Sequence, residues 1–98
     1  MQNKYEKYYN AIIEYRKIHP VIIGYYEIHH IRPKSLGGTD EQDNLVNLTG
    51  REHLVVHQLL KKIMFFKYGA DSNEYKSMTY ALWQMTNRCN LKAHMTSR

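Results

Sequence analysis

At Thr49 the apolar pattern of the chain changes period. Residues 45–48, "LVNL", alternate with a period of two, as a half-buried strand does, whereas the apolar residues that follow recur at helical spacing. Between the two patterns stands Thr49-Gly50-Arg51-Glu52, an S/T-x-x-E capping box in which the threonine hydroxyl and the glutamate carboxylate satisfy free amides at a helix start. A strand must stop and a helix begin here, so the chain has to fold around this corner. The helix is predicted over about residues 50–68, with Leu54, Leu60, Ile63 and Met64 on its apolar face and Gly69 as its stop.

A strand needs a partner. "VIIGYYEIHHI", residues 21–31, is rich in β-branched and aromatic residues and predicts one strand, or two short ones bent at Gly24. Pro33 stops it, because the residue before a proline favours extended geometry. The stretch "PKSLGGTDEQDN" then reads as the loop of a hairpin, with Gly37-Gly38 allowing a tight reversal and the acidic and amide residues favouring turns. Upstream, Tyr5, Tyr8, Ile12 and Tyr15, widened by Tyr9 and Ile13, predict an amphipathic helix over about residues 2–18 that Pro20 ends. Downstream, a last helix over about residues 72–87, capped by Asp71 or Ser72, carries Tyr75, Met78, Leu82 and Met85, with Trp83 beside them. The basic tail from Arg88 to Arg98 is expected to fray. No repeat or linker divides the chain, so residues 1–98 are expected to form one α+β domain.

At 98 residues with 43% hydrophobic content, such a domain is marginal on packing alone. A metal that binds only the folded state would add stability as well as chemistry. Fourteen Lys and Arg against nine Asp and Glu give a net charge of +5, which biases the surface toward polyanions such as nucleic acid or an anionic membrane. No run approaches the length of a spanning helix, and the start "MQNKYEKYYN" lacks the apolar stretch of a signal peptide. The expected location is therefore cytosolic, without a membrane partner. The single cysteine, Cys89, cannot form an internal disulfide and suits a reducing compartment, although a bridge between two copies stays open.

Of six histidines, four fall in two groups: His29 with His30, and His53 with His57. The second pair has i, i+4 spacing on the capped helix, so both rings project from one face and can chelate a divalent ion. A strand ending at His29 can cross the first turns of that helix and present a third ring. Three protein ligands leave part of the coordination sphere open, the arrangement of a catalytic rather than a closed structural site. Adjacent residues on a strand point to opposite faces, so one role does not easily explain both rings of the His29-His30 pair: one can bind the ion while the other faces its open position. A neutral imidazole with a reference pKa of roughly 6.5 suits a general base near neutral pH.

Residues 25–60, "YYEIHHIRPKSLGGTDEQDNLVNLTGREHLVVHQLL", resemble the HNH endonucleases, also called ββα-metal or His-Me finger nucleases. E-x-H-H-I, x-P, G-G, D-N-L-V-x-L-T and E-H-x-x-x-H stand in that family's order and approximate spacing; the flanking tyrosine-rich helix is similar to small phage-borne, homing-type members. The resemblance implies a ββα-metal finger, a β-hairpin plus metal-binding helix with a core over residues 25–68, flanked by an N-terminal and a C-terminal helix. It implies His29, His53 and His57 as ligands of one divalent ion and His30 as general base. Zinc, magnesium, manganese and nickel all stay open as the ion. Asn44 matches the middle letter of HNH, whose amide braces the loop between the strands. Glu27 lies where some members hold a carboxylate that orients a phosphate-binding arginine, here Arg16, Arg32 or Arg51.

The implied activity is metal-dependent hydrolysis of DNA, expected as a duplex, to products with a 5′ phosphate and a 3′ hydroxyl. A homodimer or a phage protein is an open further partner, and the cytoplasm of a bacterial host the implied location. Two other readings stay beside this one. In the first, four histidines hold a structural zinc in a non-catalytic nucleic-acid-binding module. In the second, the chain is a packaging-associated nuclease that needs a phage partner. On spacing alone, His53-x3-His57 is more often a pair of helix-surface histidines, and Lys4, Lys7, Lys61, Lys62 and Lys67 form a solvated face as readily as a phosphate-tracking patch.

Overall fold

The corner at Thr49 closes as a two-way hydrogen-bonded cap. The Glu52 N–H donates to the Thr49 hydroxyl (3.1 Å) and the Thr49 N–H donates to the Glu52 carboxylate (3.0 Å). In the computed structural model, which describes residues 3–96 with side chains as far as Asn87, the elements run α1 (Lys4–Ile18), β1 (Glu27–His30), β2 (Leu45–Leu48), α2 (Gly50–Tyr68) and α3 (Asn73–Thr96). This is the expected α+β order, a hairpin leading into a helix and flanked by helices.

Strands β1 and β2 are antiparallel, with Glu27 opposite Leu48, Ile28 opposite Asn47, His29 opposite Val46 and His30 opposite Leu45. Directly opposed residues share a face. Glu27 and His29 therefore lie with the buried Val46 and Leu48, while Ile28 and His30 lie on the outer face. Helix α2 packs on the inner face through Val56, Leu60 and Ile63, α1 adds Tyr9 and Ile13, and α3 adds Met78; together with Val46 and Leu48 they form the core. Each of these side chains contributes about 1.5–3 kcal/mol by leaving water. Glu52 also binds the Arg16 guanidinium at 2.9 and 3.0 Å, so the carboxylate that caps α2 tethers α1 to it.

Several expectations are corrected. Residues 21–26 do not extend β1: Ile22 and Ile23 are 80% and 86% exposed, and Gly24 turns with φ 85°. The partner strand becomes a helix directly after Leu48, so nothing remains to pair with them, and strand propensity without a partner makes no strand. The inner edge of α1 is Tyr9 and Ile13 rather than Tyr8 and Tyr15, which are 57% and 53% exposed. The helix begins at Lys4 rather than at about residue 2, behind a second capping box formed by Asn3 and Glu6. On α2, Val56 is fully buried while Leu54 is only half-buried. Ser72, not Asp71, caps α3, its hydroxyl accepting from the Tyr75 N–H and donating to the Gly69 carbonyl. Helix α3 runs to Thr96, past residue 87 where it was expected to end. The expected fraying tail, Arg88 to Arg98 with Cys89 and His94, otherwise lies outside the described side chains.

The loop between the strands is held from within. The Asn44 amide accepts from the Arg32 N–H (2.8 Å) and donates to the carbonyls of Arg32 (3.1 Å) and Thr39 (2.7 Å). At Gly38 the chain passes so close that a Cβ would lie 1.7 Å from the Arg32 carbonyl oxygen, backbone that cannot yield cheaply. Gly24, by contrast, has no atom within 4 Å of such a Cβ. Gly38→Ala is therefore expected to lower the unfolding free energy by about 2–4 kcal/mol, and Gly24→Ala by about 1 kcal/mol from its positive φ alone. Urea denaturation of the two variants checks this; equal losses would contradict the account of the loop.

Candidate metal centre

The alternation of β1 places Glu27 and His29 against the first turns of α2, where the capping box aims His53 and His57 from one face. The rings of His29, His53 and His57 form a nearly equilateral group, with centroids 5.2, 5.2 and 4.9 Å apart and mutual tilts of 69°, 81° and 72°. One ring nitrogen from each lies within 4.8 Å of the other two. Imidazole nitrogens gathered in this way are a donor set suited to zinc or another divalent transition metal.

The neighbours of two rings fix which nitrogen carries a lone pair. The Tyr9 hydroxyl lies 2.8 Å from His29 Nε2 and donates its one proton to the Ile31 carbonyl at 2.6 Å. It can only accept from the ring, so His29 is protonated on Nε2 and keeps its lone pair on Nδ1. Glu27 Oε1 lies 2.7 Å from His53 Nδ1, and a carboxylate accepts, which leaves the lone pair of His53 on Nε2. Tyr25 donates to the other oxygen of Glu27. Among the described residues, His57 Nδ1 is buried without a hydrogen-bond partner. An orphaned nitrogen in an all-imidazole donor set, with its companions already locked as single tautomers, fits a divalent cation.

Electrostatics point the same way. Burial, reinforced by the neighbouring rings of His57, His53 and His30, pushes the pKa of His29 down to about 3. Burial and the His53 ring push His57 down to about 4. Burial thus holds both rings neutral at physiological pH, the form able to ligate a metal. Burial also raises the Tyr9 phenol, which stays protonated as the bond to Ile31 requires.

His30 stands apart from this group on the outer face of the hairpin. Its Nε2 lies 2.8 Å from Asp40 Oδ1, and Asp40 Oδ2 accepts from the Lys34 ammonium at 3.1 Å. The hydrogen bond from His30 and then that from Lys34 hold the Asp40 carboxyl below the usual carboxylate range. Asn44 contacts main-chain groups of the loop rather than the three rings. Among the candidate arginines, Arg16 is clamped by Glu52, and Arg32 donates to the Leu36 carbonyl. Burial raises the Glu52 carboxyl, but Arg16 and the Thr49 N–H outweigh it and hold the group ionised.

Two participants escape sequence reasoning. Tyr9 is legible only as part of a helical stripe, although a buried tyrosine usually signals a polar partner for its hydroxyl. Asp40 reads as an ordinary turn residue, and no local pattern marks it.

Residues 16–55 match the family described as HNH endonuclease. The chain is 38% identical over 88 residues to "Probable mobile endonuclease E" of Enterobacteria phage T4, an alignment covering 90% of this chain and 54% of that protein. It is 40% identical over 87 residues to "Probable mobile endonuclease D" of the same phage, covering 85% of this chain and 30% of the relative. The chain thus spans about half or less of the length of the curated relatives it matches. No solved structure matches it. The hairpin and the start of the capped helix, which carry His29, His30, Asn44 and His53, lie within the stretch, residues 16–55, that matches the HNH endonuclease family.

Proposed function

We propose that residues 1–98 form a single nuclease domain, with its core over residues 25–68, that hydrolyses DNA with a divalent ion held by His29, His53 and His57 and with His30 as general base. The observation that carries this reading is the convergence of three neutral imidazoles, one of them with an orphaned nitrogen, beside a fourth that faces another way. A bound divalent ion supplies Lewis acidity that stabilises charge building on the phosphate oxygens and on the leaving oxygen.

The chain's own residues do the rest. His30 takes a proton from a water aligned for in-line attack; as the water oxygen bonds to phosphorus the bond to the 3′ oxygen breaks, and that oxygen takes a proton from solvent water, leaving a 5′ phosphate and a 3′ hydroxyl. Because its Nε2 is engaged with Asp40, the nitrogen available for that proton is Nδ1. Tyr9 and Glu27 keep the ligand rings in the tautomers that expose their lone pairs. The amino end of α2, adjacent to the site, offers N–H groups and a partial positive charge to phosphate.

Duplex DNA is the proposed substrate, in line with the net charge of +5. The phage origin of the relatives suggests action in a bacterial cytoplasm, alone, as a dimer or with a phage protein. No helix among the described residues is long and apolar enough to cross a membrane. A closed four-histidine zinc site is disfavoured, because His30 lies outside the group and bonds to Asp40.

His30→Ala is expected to lower plasmid cleavage about 10²–10⁴-fold while leaving ion content and DNA binding in place. Cleavage at the parental rate would remove His30 from the base role. A pH prediction follows from the depressed ligand rings. Below about pH 6.5 the unfolded chain protonates His29 and His57 but the folded chain does not, so the unfolded state binds more protons and stability falls as pH falls. In chelator-treated protein each of these rings is expected to cost about 1.4 kcal/mol per pH unit between about pH 6 and 4.5. Thermal melts across that range check the slope, and a flat profile would mean that the rings are not buried neutral.

A further inference from the structure

Asp40 is half of a pair that sequence reasoning does not find, and its placement is over-determined. Asn44 donates to the Thr39 carbonyl at 2.7 Å, which fixes the residue before Asp40. Gly38 sits against the Arg32 carbonyl where no side chain fits, which fixes the approach of the loop. Lys34 holds the outer oxygen of Asp40 and leaves Oδ1 to face His30 Nε2 at 2.8 Å. A carboxylate only accepts, so this contact requires the proton of His30 to be on Nε2. From these contacts we propose that Asp40 is a positioning residue for the reaction: it locks His30 in the Nε2–H tautomer and orients the ring so that Nδ1 presents its lone pair to the attacking water. Asn44 acts one step further out, by holding the loop segment that carries Asp40. The proposal rests on the reading of His30 as base.

The geometry separates two duties on one strand. His29, with Tyr9 behind it, is held for ligation on the inner face, while His30, with Asp40 behind it, is held for proton transfer on the outer face. In both, the partner fixes the tautomer through Nε2 and leaves Nδ1 working. Without Asp40 the ring of His30 is free to rotate and to place its proton on either nitrogen, and only part of the population keeps the lone pair where the water is. When Nδ1 takes the proton from water, the ring becomes a cation, and the adjacent carboxylate, itself unchanged, stabilises that charge.

The test compares wild type, Asp40→Ala, Asp40→Asn, Asp40→Glu and His30→Ala, each as the full chain loaded with one divalent ion. Single-turnover plasmid cleavage gives the maximal rate and the half-saturating DNA concentration, calorimetry gives ion affinity, and ring 15N spectra give the tautomer of His30. Asp40→Ala is expected to lower the maximal rate at least about tenfold, short of the loss in His30→Ala, with DNA half-saturation and ion affinity within about twofold of wild type. Its His30 spectrum should lose the dominant Nε2–H form, and Asp40→Glu should restore part of the rate and of that form. A parental rate, an unchanged His30 tautomer, or loss of ion binding in Asp40→Ala would each overturn the proposal. Asp40→Asn guards against a misfolded alanine variant, because its side-chain oxygen can still accept from Nε2; it should keep the tautomer and lose rate by removing the charge. If His30→Ala cuts normally, the base reading itself fails. If only Asp40→Ala cuts normally, Asp40 alone loses its role.

Discussion

An imidazole sealed inside the domain is the constraint around which the rest is arranged. His29 is 1% exposed, in a place where a charged ring would be costly and a neutral one must satisfy two nitrogens. Tyr9 from α1 satisfies one, and the other looks toward two more imidazoles on α2. The core thus gathers one ring nitrogen from each of three histidines within 4.8 Å of one another, a donor set that fits a divalent cation. In a chain of 98 residues, an ion held there would contribute to folding as well as to chemistry.

The same few contacts set architecture and site. Glu52 caps α2, clamps Arg16 and so draws α1 across the hairpin, which brings Tyr9 to His29. Glu27 sits two residues before His29 on the same strand face, which is why it can reach His53. The pleat of β1 divides the histidine pair between an inner face, where His29 meets His53 and His57, and an outer face served by the loop. Two adjacent residues thereby acquire different partners and accessibility without any irregularity in the strand.

Local chemistry made much of this legible in advance. The capping box, the alternation of residues 45–48 and the i, i+4 histidines are signals confined to a few residues, and the hairpin, α2 and the inward histidine face follow from them. Where the reading failed, the missing information was tertiary. Residues 21–26 have strand composition but lose their partner because β2 turns into α2 at Thr49. On α1, several tyrosines could face inward, and which edge is buried is set by packing against elements distant in sequence, where Tyr9 and Ile13 join Val46, Leu48 and Val56. Asp40 carries no pattern at all, since its contact with His30 spans ten residues through a loop shaped by Gly38 and Asn44.

The most direct test of the central claim is calorimetric titration of zinc or nickel into chelator-treated protein, for wild type and for His29→Ala, His53→Ala and His57→Ala. One ion per chain should bind the wild type, with each substitution weakening affinity about 100-fold or more. Absence of saturable binding in the wild type, or affinities unchanged by all three substitutions, would contradict the shared-ion account.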